Sequence, residues 1–134
     1  PGLSSVPDLQ FADGVLARIR AVAGTEYDER AYLFMLEAIE FLQERLDARR
    51  HVTGAELSWA CRDLALERFG LLAHSVLEHW RVTRTADFGR IVYALVAIGL
   101  LSVQPGDREE DFLDVYEFAG AFDTIGAMRW DPAA

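Results

Sequence analysis

The sequence contains no lysine and no asparagine, and all thirteen of its basic residues are arginine. Both missing residues have AT-rich codons, so a GC-rich genome is the simplest source of the bias, which speaks of ancestry rather than mechanism. Positive charge is also scarce: 22 acids leave a formal net charge of −9. Generic binding to nucleic acid or anionic membrane needs clustered positive charge and is disfavoured on that count. A single cysteine, Cys61, excludes an internal disulfide and suits a reducing compartment. The longest apolar run, Ile91 to Leu101, falls well short of a bilayer span. The first residues lack the basic-then-apolar pattern of an export signal, so the expectation is a soluble, cytoplasmic chain. No Gly-x-x-x-x-Gly-Lys or Gly-x-Gly-x-x-Gly phosphate loop occurs, and no Gly-x-Ser-x-Gly elbow. No catalytic, cofactor-binding or metal site is therefore expected, and no enzymatic role.

What is present reads as one folded unit. At 134 residues and 51% hydrophobic, the chain is long enough to bury a core without disulfides or metal. The expectation is a single domain over 1–134, with N-terminal helices over 8–50, a body over 51–118 and a tail over 119–134. Asp8 to Val22 reads as a helix ended by Gly24. In the segment from Asp28 to Arg50, residues Ala31, Met35, Ala38, Ile39, Leu42 and Leu46 recur at helical spacing, with Glu37, Glu44 and Asp47 opposite. Thr53-Gly-Ala-Glu56 has the spacing of a capping box and opens a helix that Gly70 closes. Leu57, Cys61, Leu64 and Phe69 form its apolar stripe. A further helix spans Leu71 to Trp80 and is expected to bury Leu72, Ala73, Val76, Leu77 and Trp80. Thr85 is expected to cap the next, up to Ile98, with Phe88, Ile91, Val92, Leu95 and Ile98 inward.

After Gly99, the segments Leu100–Gln104 and Phe112–Phe118 read as strands joined across the Pro105-Gly106-Asp107 turn. A capped helix followed by a hairpin is how the recognition helix and wing of a winged helix-turn-helix read. The fold class expected is thus mainly α: a helical domain with a winged-helix-like core and one C-terminal antiparallel β-hairpin. Charge is unevenly spread. Residues 81–98 carry three arginines against Asp87, whereas residues 107–117 carry six acids against Arg108, so the supposed wing is strongly acidic. The tail still holds Phe122, Ile125, Met128 and Trp130 and is expected to pack back on the body.

Six segments recur as a set: His51-Val-Thr-Gly-x-Glu-Leu, Phe69-Gly70, Val76-Leu77-Glu-His-Trp80, Thr85-x-Asp-Phe-Gly89, Gly99-Leu-Leu101 and Asp111-Phe-x-Asp-Val-Tyr-x-Phe118. Together they resemble the signature of a bacterial family associated with the planctomycete and verrucomicrobial groups, for which no activity is established. The resemblance covers roughly residues 27 to 122. Arg81 departs from it, since a glycine is expected after the tryptophan. The resemblance implies kinship and supplies no mechanism.

Several local patterns invite sharper readings. Asp87-Phe88-Gly89 matches the magnesium-binding triplet of kinases, but without their glycine-rich loop or strand lysine; Asp87 is better read as an acid favoured in a helix's first turn. His74 and Glu78 share a helix face at i, i+4, while His79 is turned away, so a surface His–Glu pair is preferred over a zinc site. His51 is read as a helix-end cap. Cys61 lies on the apolar stripe and is read as core rather than as a reactive thiol. The acidic run from Asp107 to Asp111 lacks the ligand spacing of a calcium loop. It is read as a solvated tip whose charge discourages edge pairing.

On the outer face of the Thr85 helix stand Asp87, Arg90, Tyr93, Ala94 and Ala97. A base-reading face normally offers several Arg, Lys, Asn or Gln side chains, and this one offers a single arginine among apolar groups. The function expected is accordingly a non-enzymatic protein–protein interaction (adaptor) module. Its surface would comprise Arg81, Arg84, Thr85, Arg90, Tyr93 and Ala97, with the acidic wing beside them, and its partner would be another protein. The rival is a winged-helix DNA-binding transcriptional regulator with the arginines on phosphates, and a weaker third is a small enzyme with an acidic pocket.

Overall fold

The computed structural model describes residues 13–22 and 26–123. These residues are mainly helical: α1 (Asp13–Val22), α2 (Glu29–Glu44), α3 (Gly54–Phe69), α4 (Ala73–His79), α5 (Thr85–Ala97) and the short α6 (Phe118–Ala121). Single 3-10 turns occupy Gly70–Leu72 and Glu109–Phe112. No described helix is long and apolar enough to cross a membrane. Residues 8–12 of the expected first helix, and Ile125, Met128 and Trp130 of the tail, lie outside the described residues. Within them, Phe122 is buried, as the tail's packing requires.

α3 is the central rod. The capping box is present: the Thr53 hydroxyl accepts from Glu56 N at 3.1 Å, and the Glu56 carboxylate accepts from Thr53 N at 2.9 Å. Neighbours surround the helix, so its burial extends beyond the apolar stripe to Ala60, Ala65 and the polar Ser58, Arg62 and Asp63. Ser58 Oγ satisfies itself on Gly54 O at 2.8 Å. Asp63 accepts from Arg45 Nη1 at 3.0 Å and from Arg62 Nε and Nη2 at 3.1 and 2.9 Å, so its buried charge is met on both oxygens. Cys61 is wholly buried with its sulfur 3.8 Å from that of Met35, and desolvation holds its thiol well above the usual range. The core reading of Cys61 stands.

α2 packs along α3 through Ala31, Met35, Ala38, Ile39 and Leu42, all fully buried or nearly so. It stops at Glu44, six residues before the expected end. The buried Gln43 side chain donates from Nε2 to Arg50 O at 2.7 Å and accepts at Oε1 from Arg50 N at 3.2 Å, which holds Arg50 back on the helix.

The hairpin is not there. Among the described residues there is no strand, only an isolated bridge at Leu101. Leu100 N and Leu101 N both turn back to Leu95 O, at 2.9 and 3.4 Å, after Gly99 at φ +80°. The two leucines are both buried, so the alternation a half-buried strand needs is absent. Pro105-Gly106-Asp107 does turn, closed by Asp107 N on Gln104 O at 3.0 Å, but it joins no strands.

Residues 112–118 are pinned inward one by one instead of paired. Phe112 is buried against α3 and α5; Val115 N donates to Thr85 Oγ1 at 3.1 Å; Tyr116 Oη donates to Ser58 O at 2.6 Å; and Phe118 lies 5.7 Å from the Phe88 ring. Asp114 at φ +51° breaks the extended run between them. The wing, and with it the winged-helix body expected over 51–118, is replaced by a segment wrapped over the helices.

Candidate functional site: an interhelical groove

Of the six residues expected to form one surface, Arg81, Arg84, Arg90 and Ala97 are exposed, Tyr93 is half-buried and Thr85 is buried. Thr85 is buried and is not the cap of α5; Arg84 holds that position, and the Asp87 carboxylate closes the turn by accepting from Thr83 N and Arg84 N at 2.9 and 3.2 Å. The Thr85 hydroxyl is spent on Val115 N. Arg90 is exposed and ion-paired with Glu26. Tyr93 is half-buried, and its phenol is raised by burial and then by the acids Asp107, Asp111, Glu109 and Glu110. Ala97 is exposed, as are Arg84 and Arg81. Arg81, however, lines a different hollow, described below.

The outer face of α5 is partly occupied by the N-terminal segment. Tyr27 Oη donates to Asp87 Oδ1 at 2.5 Å, Glu26 holds Arg90, and Arg18 donates to Ile98 O at the helix's C-terminal end. That last position favours a cation, because unpaired carbonyls give a helix end partial negative charge. The acidic segment at 107–111 flanks Tyr93 from the other side. A surface so flanked offers little room for phosphates.

A more open site lies where α2 and α4 run side by side, tied at one end by Asp28 N on Trp80 O at 3.4 Å. Along α2, the residues facing the space are Arg30, Leu33, Phe34 and Glu37; opposite them are Leu72 of the 3-10 turn and Ser75, Val76 and His79 of α4. Each set has the spacing i, i+3, i+4, i+7 of one helix face. Phe69 and Trp80 complete a floor of rings with Phe34, with centroids 5.6 to 6.5 Å apart. The groove between these walls measures about 550 Å³. Arg68 and Glu37 form an ion pair at its far end.

Exposed leucines stand among the charged groups Arg30, Glu37, Arg68 and His79 at and beside the groove. Leu71 is 82% exposed, Leu72 64% and Leu33 38%. Leu72 corrects the expectation that it would be buried. Gly70, at φ +54°, ends α3 and starts the 3-10 turn that lifts both leucines off the core. No residue type in the sequence distinguished these leucines from core; a helical stripe tells which face a side chain shares, not whether another element covers it.

At the end nearest Trp80 the groove opens into a second hollow of about 570 Å³ walled by Arg20, Arg30, Arg81, His79, Tyr27, Asp28 and Glu29. Arg30 is held by Asp28 at 2.9 Å, and Arg20 by Glu29 at 2.8 Å. Three arginines against two acids make this corner net positive on an acidic chain. Arg81 sits there with φ +70°, in the position after α4 where its N–H reaches Glu78 O at 2.8 Å and Val82 N reaches Leu77 O at 2.8 Å. The glycine expected at this place would suit that backbone.

The remaining motif residues are structural. His74 Nε2 lies 3.9 Å from Glu78 and its ring packs on Phe118 and Phe122. His51 is not simply a helix-end cap: its Nε2 lies 2.9 Å from Asp107 Oδ1, while its Nδ1 is buried without a partner. Asp107 is thus less solvated than the expected acidic tip. Among the described residues, no three His, Cys, Asp or Glu side chains are placed to hold a metal ion. No protein-family model matches the chain, and no curated protein or solved structure is detectably similar to it.

Proposed function

We propose that this protein is a non-enzymatic protein–protein interaction module, and that it binds its partner in the groove between α2 and α4 rather than on the outer face of α5. The observation that carries this reading is the solvent-exposed Leu72, which lines a ring-floored groove together with the part-exposed Leu33, with the exposed Leu71 next to it in sequence. Isolated exposed leucines are ordinary; several gathered along a concave, aromatic-floored site mark places where another apolar surface fits. Covering one fully exposed leucine side chain is worth roughly 1.5–3 kcal/mol, so Leu72 and the exposed part of Leu33 supply a share of the affinity of a specific complex.

The test is affinity capture from cells of origin with wild-type protein, Leu72→Glu and the pair Arg90→Glu/Tyr93→Glu, each checked for folding by circular dichroism and each with and without nuclease. The expected result is a defined protein partner that survives nuclease, is kept by Arg90→Glu/Tyr93→Glu and is lost with Leu72→Glu. Loss with Arg90→Glu/Tyr93→Glu alone moves the site to α5. Recovery that vanishes with nuclease replaces this reading with nucleic-acid binding.

A further inference from the structure

The groove has an inside length, a pair of ridged walls and a charged end, and together these describe an occupant. From Arg30 to Glu37 and from Leu72 to His79 each wall spans eight residues, whose seven steps cover about 10 Å of helix axis, or two turns. Two helices presenting i, i+3, i+4, i+7 stripes to a common channel leave a seat for a third helix, whose own apolar residues at that spacing interlock with theirs. An extended strand would gain nothing here, because both walls are helices with their backbone groups already bonded.

The two ends differ in charge. At one, Arg68 and Glu37 neutralise each other. At the other, Arg30 and His79 belong to both hollows, and Arg20 and Arg81 stand beyond them against Asp28 and Glu29. The pair Arg20–Glu29 is solvent-exposed, the kind that contributes little and re-partners readily, whereas Arg30 grips both oxygens of Asp28 from Nε and Nη2 at 3.0 and 2.9 Å and would meet a further carboxylate with its remaining N–H groups. On a chain of net charge −9, a hollow walled by three arginines and a histidine against two acids is a place where a partner carboxylate meets attraction.

Building on the interaction-module reading, we infer that the groove receives a short amphipathic helix of an acidic partner. Leucine-type side chains at i, i+3 or i+4 and i+7 fill the channel over Phe34, Phe69 and Trp80. One or two carboxylates at the end of that helix lie against Arg30, Arg81 and His79.

The test is selection of random 16-residue peptides displayed on phage against the intact chain, with counter-selection on Leu72→Glu, followed by fluorescence anisotropy of synthesised winners. The expected winners are helical, carry the apolar spacing and end in Glu or Asp. Their affinity falls at least tenfold on Arg30→Glu and on Arg81→Glu, and a peptide with Lys in place of the acid binds those variants better than wild type. That exchange also shows the variants to be folded. Winners that are neutral or basic, or indifferent to Arg30 and Arg81, overturn the acidic-helix inference and leave the module reading intact. No winner dependent on Leu72 overturns both. Sedimentation showing self-association that Leu72→Glu abolishes assigns the groove to a second copy and overturns the inference as well.

Discussion

Gly89 of α5 is small because Phe112 lies on it. A Cβ built on Gly89 would stand 3.0 Å from the Cβ of Phe112 and 3.1 Å from its ring, closer than atoms tolerate without movement. Gly54, the first residue of α3, meets the same ring at 2.9 Å. The glycine of Asp87-Phe88-Gly89 thus admits an aromatic wedge where two helices converge, and the phosphate-metal reading of that triplet loses its purpose.

Gly89→Ala is expected to destabilise the protein by roughly 1–3 kcal/mol, because the wedge must shift in a packed site. Phe112→Ala is expected to cost about 3–5 kcal/mol through the cavity it leaves. In the Phe112→Ala background the cost of Gly89→Ala should shrink, because the ring contacts at 3.1 Å are gone while the Cβ at 3.0 Å remains free to give way beside the cavity, and alanine's better helix propensity offsets part of what is left. Urea unfolding of the double-mutant cycle measures this directly; additive costs would mean that the two residues do not press on each other.

Arg81→Gly is expected to raise stability. An arginine at φ +70° carries a steric cost of about 1–2 kcal/mol that glycine lacks, part of which glycine gives back through its freer unfolded chain. A net gain of roughly 0.5–1 kcal/mol should appear in thermal or urea unfolding. Arg81→Ala, which keeps a Cβ, separates this backbone effect from the side chain's contacts and should show no such gain.

Tyr27 gives the fold an alkaline weakness. Burial and the hydrogen bond to Asp87 raise its phenol far above the ordinary value. A raised folded-state value means that the stabilisation is complete below the unfolded value of about 10 and is lost progressively as pH rises above it. Tyr32 and Tyr116 are also raised, so the comparison that isolates Tyr27 is the difference between wild type and Tyr27→Phe. That difference should be steady from pH 7 to 9 and shrink from pH 10 to 11. A constant difference would remove Tyr27 from the account.

Helices that carry their own start signals were legible in the sequence. Thr53 and Glu56 announce α3, Gly70 closes it, and the periodicity of Ala31 through Leu42 finds the buried face of α2. What failed was tertiary. Phe112, Val115, Tyr116 and Phe118 read as a strand because β-branched and aromatic residues cluster there, yet each is fixed by a different long-range contact. Gly54 and Gly89, two glycines inside helices, were the available hint that something large approaches, without saying what. The groove was illegible for the opposite reason. Leu72 and Val76 fit an inward stripe by spacing, and spacing alone does not say that no described element covers Leu72 beside α2.

The central claim is that binding occurs between α2 and α4. A photo-crosslinking amino acid placed at residue 72, and separately at residue 97 on α5, reports which surface a partner touches inside living cells. A discrete crosslinked band is expected from position 72, disappearing when Leu33→Glu is added, and none from position 97. A band from position 97 with position 72 silent would contradict it and return the interaction surface to α5.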